Sequence, residues 1–293
     1  MTDVPFASAL DAADAVRRKE VSPAELMDLY LDRADRLDPS LNAFALRDDD
    51  RARELAAAAT DVVAGTPAAE LPPFHGVPMP IKDLDDVVGW PTSFGSFGCD
   101  PSVRTEDALE VSRLRSAGFV FMGKTTTPEF GTVSMTESER FGATRNPWNT
   151  DHTPGGSSGG AAAAVASGMA PLAHASDGGG SIRIPASCTG LVGLKASRNR
   201  ITGVVEAVFG ASTNGVVSWT VADTAAALDV LVAYDTGSWN LAQPPSRPYR
   251  KEVGADPGRL RIMVQHQNAL GVPPAPECVA AVDGAAALLE SLG

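Results

Sequence analysis

Two glycine-rich clusters carry serines whose surroundings could support chemistry: Gly155-Gly156-Ser157-Ser158-Gly159-Gly160 and Gly178-Gly179-Gly180-Ser181. Without a Cβ in the way, glycine backbone amides can come close to a ligand. A serine set among such amides can act as a nucleophile beside a ready-made oxyanion site. Its hydroxyl is a weak nucleophile, however, and needs a base. One candidate lies upstream: Lys82, in the apolar segment His75-Gly76-Val77-Pro78-Met79-Pro80-Ile81-Lys82-Asp83-Leu84. Burial there would push its amine down from an ordinary value of about 10.4 toward neutrality. Asp83 would oppose this if close, but strand alternation points it to the other face. Taken singly, each feature also has a plainer reading. Glycines serve tight turns and close helix packing, and a lysine at a strand end can snorkel to solvent.

Rival motifs fit these clusters less well. Gly155 and Gly160 have phosphate-loop spacing, but Ala161 and Ala162 stand where Lys and Ser/Thr are needed. Gly178, Gly180 and Arg183 do not complete a dinucleotide-binding fingerprint. Gly155-Gly156-Ser157-Ser158-Gly159 does satisfy the G-x-S-x-G nucleophile elbow, with His174 or His266 as bases on paper. That motif needs a strand immediately before it, whereas Asn146 to Pro154 reads as loop.

The elements that would position these residues alternate between helix and strand. Residues 6–18 have helical spacing. Ser22-Pro23-Ala24-Glu25 supplies an N-cap, a first-turn proline and a capping-box glutamate for a helix that should stop near Pro39. Leu41 to Leu46 reads as a short strand, and Asp48 to Asp50 offer caps for a helix closed by Gly65. The first 65 or so residues are thus a helical scaffold. Prolines 78 and 80 mark the Lys82 segment as an edge strand or strand start. Thr105 is expected to cap a helix over 106–117, which Gly118 ends before a buried strand at Phe119 to Lys124. After the serine clusters come an extended piece near Asn214 to Val217 and a helix from Val221 to about Tyr234. A strand at Leu260 to Val264 and a last helix from Pro276 to Leu292 follow. Helix, glycine, strand is the unit of a helix-covered sheet, so the fold class is α/β.

Bulk properties narrow the function. The 293 residues are 44% hydrophobic and 20% charged, with a net charge of −12. They read as a globular chain with no basic cluster for nucleic acid. Cys99, Cys188 and Cys278 match neither a disulfide framework nor a zinc motif, which points to free thiols in a reducing cytoplasm. The N-terminus does not read as a secretory signal, and no run of about 18 strongly apolar residues suggests a membrane span.

The order GGSSGG, a small-residue helix, SDGGGSIRIPAS and GLVGLK resembles the central block of the amidase signature family. GVPMPIKD and GKTTTPEFG upstream resemble that family too, and the likeness runs from about residue 20 to the end. It implies an α/β/α sandwich around a twisted, mixed, mainly parallel sheet. It also implies a Ser–cis-Ser–Lys triad, with Ser181 as acyl-forming nucleophile, Ser157 as relay after a cis peptide bond and Lys82 as base. Gly178, Gly179 and Gly180 would give the oxyanion hole through their backbone amides, and Asp177 and Arg183 would hold that loop. The implied activity is hydrolysis of a carboxamide C–N bond through an acyl-enzyme. The implied partner is a small amide, with no metal or organic cofactor, no nucleic acid and no membrane, and with a homodimer as the assembly to consider. A glutamine-hydrolysing amidotransferase subunit and a non-catalytic homologue are the alternatives. Thr126, Ala161, Ala196, Asn199 and Trp219 depart from the family's common pattern without removing a triad member. Family domains run past roughly 400 residues, so residues 1–293 are expected to be one amidase domain lacking its C-terminal part. Its catalytic core would span 75–235.

Overall fold

The computed structural model describes residues 8–201, 211–232, 242–267 and 270–293. These fall into two compact units, the first running through Val253 and the second covering Gly254–Gly293.

In the first unit, helix α1 (Ala9–Arg17) is capped by Ser8, and residues 6 and 7 of the expected helix lie outside the described residues. Helix α2 (Pro23–Leu41) starts with the full capping box of Ser22 and Glu25. It continues two residues past the expected stop, carrying Pro39 inside, and ends where Asn42 turns left-handed at φ 54°. Asp38 ties down the exit by accepting the backbone N–H groups of Ala43 and Phe44. Strand β1 (Phe44–Arg47) leads to α3 (Asp49–Gly65), capped by Asp48 as its sequence predicts.

Strand β2 (Pro78–Lys82) and strand β3 (Val120–Thr125) are joined by a crossover through α4 (Leu109–Ser116). α4 begins later than the predicted cap at Thr105. Asp107 is committed elsewhere, accepting from Val88 N–H and from Arg115. Strands β4 (Glu137–Ser138) and β5 (Gly142–Ala143) form a small hairpin. Helix α5 (Gly159–Ala166), strand β6 (Leu172–Asp177), helix α6 (Arg183–Thr189), strand β7 (Val192–Gly193) and strand β8 (Thr213–Ser218) follow. Helix α7 (Val221–Leu231) is capped by Thr220. The expected continuation to Tyr234 lies outside the described residues.

Two three-stranded sheets carry this unit, with orders β1-β3-β2 and β6-β8-β7. The β1-β3-β2 sheet is mixed, as expected, whereas the β6-β8-β7 sheet is antiparallel, so the parallel share is smaller than expected. Only β2–β3 is parallel among the described ladders. A parallel pair needs a long crossover, and α4 supplies one between β2 and β3. β7 meets β8, and β8 meets β6, in antiparallel register. β2 is an edge strand, as its prolines require, and its free side lies against β6 without a ladder. The helices cover the strands: α3 packs on β3, α5 on β6 and α7 on β8. Their contact surfaces and the strands form one apolar core, with Leu26, Met27, Tyr30, Phe74, Ile81 and Phe121 at its centre.

In the second unit, α8 (Pro276–Ser291) starts at Pro276 as predicted. The strand expected at Leu260 to Val264 is not formed: those residues are exposed and enter no ladder. β-propensity alone cannot make a strand without a neighbour to accept its backbone hydrogen bonds. Among the described residues, no helix is long and apolar enough to cross a membrane.

Candidate active site

Lys82 is the last residue of β2, and the fold buries it completely. Its Nζ lies 2.8 Å from Ser157 Oγ and 3.1 Å from Ser176 Oγ. Burial brings its pKa down to about 7, although the carboxylates of Asp85 and Asp177 pull upward. Asp83 points away as the alternation predicts, forming a buried ion pair with Lys124 Nζ at 2.8 Å. Lys124 also donates to Thr92 Oγ1, and Ser93 donates to Asp83. The two buried lysines therefore differ: Lys124 has a dedicated counter-ion, whereas Lys82 is hydrogen-bonded to hydroxyls.

Ser157 is held by its loop. The Gly156–Ser157 peptide bond is cis, as the resemblance implies. Thr136 staples the loop from both sides, donating to Gly155 C=O at 2.9 Å and accepting from Gly159 N–H at 3.0 Å. Gly156 must be glycine, because a Cβ there would stand 2.7 Å from the backbone of Met135. Gly160 must be glycine as well, since its Cβ would meet Ala43 C=O and Thr126 N at 2.5 Å. This close approach is what the small-residue helix α5 makes possible. The neighbouring Ser158 has a different task. Its hydroxyl donates to Ser176 C=O and accepts from Ser176 N–H, which stitches the loop to β6.

Ser181 lies in the turn between β6 and α6, half-buried, and its carbonyl accepts from Ser158 N–H at 3.2 Å. The two serine clusters thus meet at adjacent residues. Asp177 organises this turn. Arg183 grips its carboxylate with two hydrogen bonds, Nε to Oδ2 at 2.8 Å and Nη2 to Oδ1 at 2.9 Å. Burial pushes the Asp177 carboxyl up, but Arg183 and the N–H groups of Gly180 and Ile182 outweigh it and bring it down to about 2.

The oxyanion role expected of Gly180 is not met. Gly180 N–H donates to Asp177 Oδ1 at 2.7 Å, so it is occupied and does not face open space as an oxyanion donor. The carboxylate caps the turn, and Gly180 at φ 127° delivers its amide to that cap. Gly178 and Gly179 remain exposed, with no atom within 4 Å of a Cβ added at Gly179.

No strand leads directly into Ser157, so the nucleophile-elbow reading is not met. His266, one of its paper bases, pairs with Asp283 inside the second unit at 2.7 Å. His174, the other, is fully buried on β6, and its Nδ1 accepts from Lys82 N–H at 3.4 Å. Burial lowers its pKa to about 4, so it is neutral. Sequence reasoning missed Ser176 as a partner of Lys82. The signal was available: residues two apart in a strand share a face, and Ser176 follows His174 by two. Among the described residues no group of His, Cys, Asp and Glu could hold a metal ion.

The model of the amidase family matches residues 25–293. The chain belongs to the amidase signature family. Two relatives are similar to it over nearly its whole length. The 6-aminohexanoate-cyclic-dimer hydrolase of Pseudomonas sp. (strain NK87) is 41% identical, covering 96% of this chain and 57% of that protein. An acylamidase of Rhodococcus erythropolis is 38% identical, covering 98% of this chain and 60% of that one. A structure of 6-aminohexanoate cyclic dimer hydrolase complexed with substrate superposes with a TM-score of 0.91 at 38% identity, covering 99% of this chain and 60% of that chain. This chain therefore spans about three-fifths of the length of these amidase signature proteins. Its fold is the α/β amidase signature fold.

Proposed function

We propose that this chain carries the catalytic machinery of an amidase that hydrolyses a carboxamide C–N bond through a serine acyl-enzyme. The observation that carries the reading is the contact of a fully buried Lys82 amine with Ser157 Oγ at 2.8 Å. A lysine without a counter-ion in contact, with a pKa near 7, can be neutral and accept a proton. Amidases and acylamidases among the relatives support the same reaction class.

In this mechanism Ser181 Oγ attacks the amide carbonyl. Its proton passes to Ser157 Oγ as the Ser157 proton passes to Lys82 Nζ, because a hydroxyl both donates and accepts. The carbonyl oxygen becomes an oxyanion facing the exposed turn at Gly178 and Gly179, and each preorganised donor there contributes about 3 kcal/mol. The proton returns along the same relay to the leaving nitrogen, the C–N bond breaks and the amine departs. Water then attacks the Ser181 ester, its proton passing through Ser157 to Lys82; that proton returns to Ser181 Oγ as the ester C–O bond breaks, which releases the carboxylic acid and restores the serine. Asp177 and Arg183 keep the turn in shape and take no proton.

The partner in this reading is a small uncharged amide. Acylamides and cyclic amides are the first probes, since one relative is named an acylamidase and another a cyclic-dimer hydrolase. The domain is read as residues 1–293 with its catalytic part in 75–235. The three unpaired cysteines support a cytoplasmic setting, and sedimentation equilibrium reads whether the assembly is a homodimer. The deciding experiment is reaction with a serine-directed fluorophosphonate followed by peptide mass mapping. The adduct is expected on Ser181 and absent in Ser181→Ala. An adduct on Ser157 instead, or full amide turnover by Ser181→Ala, overturns the assignment.

A further inference from the structure

Lys82 is held from β6 at two points, and neither is a ladder bond. Successive N–H groups of a strand point to opposite edges. Asp83 N–H goes to Thr125 C=O on β3 at 3.1 Å, so Lys82 N–H faces the other edge, where β6 lies. On that edge Pro78 and Pro80 have no N–H to give. Lys82 therefore carries the last outward donor of β2, fully buried, and no ladder with β6 exists to satisfy it. The His174 imidazole takes its place: Nδ1 accepts from Lys82 N–H at 3.4 Å. Two residues further along, Ser176 Oγ lies 3.1 Å from Lys82 Nζ. Alternation puts His174 and Ser176 on one face of β6, so a single strand face meets both the main chain and the side chain of the same lysine.

Resting on the assignment of Lys82 as base, we propose that His174 and Ser176 are positioning residues. His174 fixes the backbone of Lys82 against β6, and Ser176 turns its amine so that a lone pair is left for the Ser157 proton.

The chemistry of each contact fits this role. A neutral amine has two N–H groups and one lone pair. With one N–H given to Ser176 Oγ at 3.1 Å, the lone pair can face Ser157 Oγ at 2.8 Å. Imidazole accepts through Nδ1 only when that nitrogen carries no proton, so the ring proton sits on Nε2. Asp85 Oδ2 lies 3.8 Å from the same Nδ1, too far for a hydrogen bond, so the nitrogen stays with Lys82 N–H. Burial keeps the ring neutral, with a pKa of about 4, where Lys82 changes charge at about 7. The prolines explain why a side chain is needed at all: β2 has no second outward N–H through which a ladder could anchor it to β6.

The wild-type protein supplies the first test. With 15N in histidine, the His174 ring is assigned by its loss in His174→Asn. It is expected as the Nε2–H tautomer, with Nδ1 bare between about pH 6 and 9. A proton on Nδ1 overturns the proposal. The Lys82 N–H should exchange with solvent at least about 10-fold more slowly in wild type than in His174→Leu. His174→Asn should restore the protection, because its amide oxygen can accept where Nδ1 does. In amide turnover, His174→Leu and Ser176→Ala should each lower kcat about 10- to 100-fold with KM within about twofold. His174→Asn and Ser176→Thr, which keep an acceptor, should stay within about threefold of wild type. Wild-type kcat in both His174→Leu and Ser176→Ala overturns the positioning role. So does an equal loss in His174→Leu and His174→Asn, which would make ring packing the cause. An Nε2–H tautomer and a protected Lys82 amide in a protein whose serines no fluorophosphonate labels uphold the grip on Lys82 and overturn the hydrolytic reading.

Discussion

At the residue scale, a buried amine is both the working group and a liability. Lys82 must be neutral to act, so labelling of Ser181 should fall about tenfold for each pH unit below about 7 and level off above it. The same shift has a stability consequence. The folded pKa lies below the ordinary 10.5, so the unfolded chain binds more protons between about 7 and 10.5. Relative to Lys82→Met, wild-type stability should therefore decline as pH drops from 10.5 to 7 and run parallel below 7. Denaturant melts of the two proteins across that range check the sign, and a gap independent of pH would show that the amine keeps its ordinary pKa. Gly131 offers a second residue-scale prediction. It sits at φ 67°, where a Cβ would stand 2.8 Å from Leu84 Cδ1 and 3.2 Å from Ser157 Oγ. Gly131→Ala should displace the Ser157 hydroxyl and cost about 10- to 100-fold in kcat.

At the element scale, the candidate site depends on two close approaches. α5 lies on β6 and reaches the chain around Ala43 and Thr126 because Gly160 has no side chain. Ala is ordinarily the better helix former by about 1 kcal/mol. Here Gly160→Ala should instead destabilise the fold by about 2–3 kcal/mol, because backbone atoms stand in the way and cannot rotate aside. Thermal denaturation decides which effect wins. The β6–α6 turn depends on Asp177. Arg183→Met leaves that buried carboxylate with backbone donors alone, an expected cost of about 1–3 kcal/mol. Turnover should fall more than stability predicts, since the turn carries Ser181; wild-type kcat in this variant would mean that the ion pair does not shape the turn.

At the scale of the whole molecule, charge and chain length matter most. With a net charge of −12, the chain's field opposes anionic ligands. Acidic amides should show a kcat/KM that rises with added salt as the repulsion is screened, while neutral amides should be nearly indifferent. Equal salt responses would mean that the field at the site is local. The chain matches relatives over about three-fifths of their length, and the residues that contact Lys82 and cap the Ser181 turn all lie in the first unit.

Much of this was legible in the sequence. Ser22, Asp48 and Thr220 mark helix starts through local capping chemistry, and the structure has helices at each. Prolines 78 and 80 mark an edge strand, and alternation correctly turns Asp83 away from Lys82. Lys82, Ser157, Ser181, Asp177 and Arg183 stand out by type and motif, since a few consecutive residues carry each signal. Other features exist only once distant segments pack. Desolvation of Lys82 is a property of the volume around it, to which β2, β6 and the Gly155–Gly160 loop all contribute. His174 meets Lys82 across a seam with no ladder, and Glu110 reaches Asn214 from a crossover helix. Gly180 N–H is claimed by Asp177 through the fold of one turn, which a run of three glycines does not reveal. Local stereochemistry thus determined the elements and the reactive residue types. The assembled interior decided their charges, because burial and the placement of neighbouring charges depend on contacts between residues far apart in the chain.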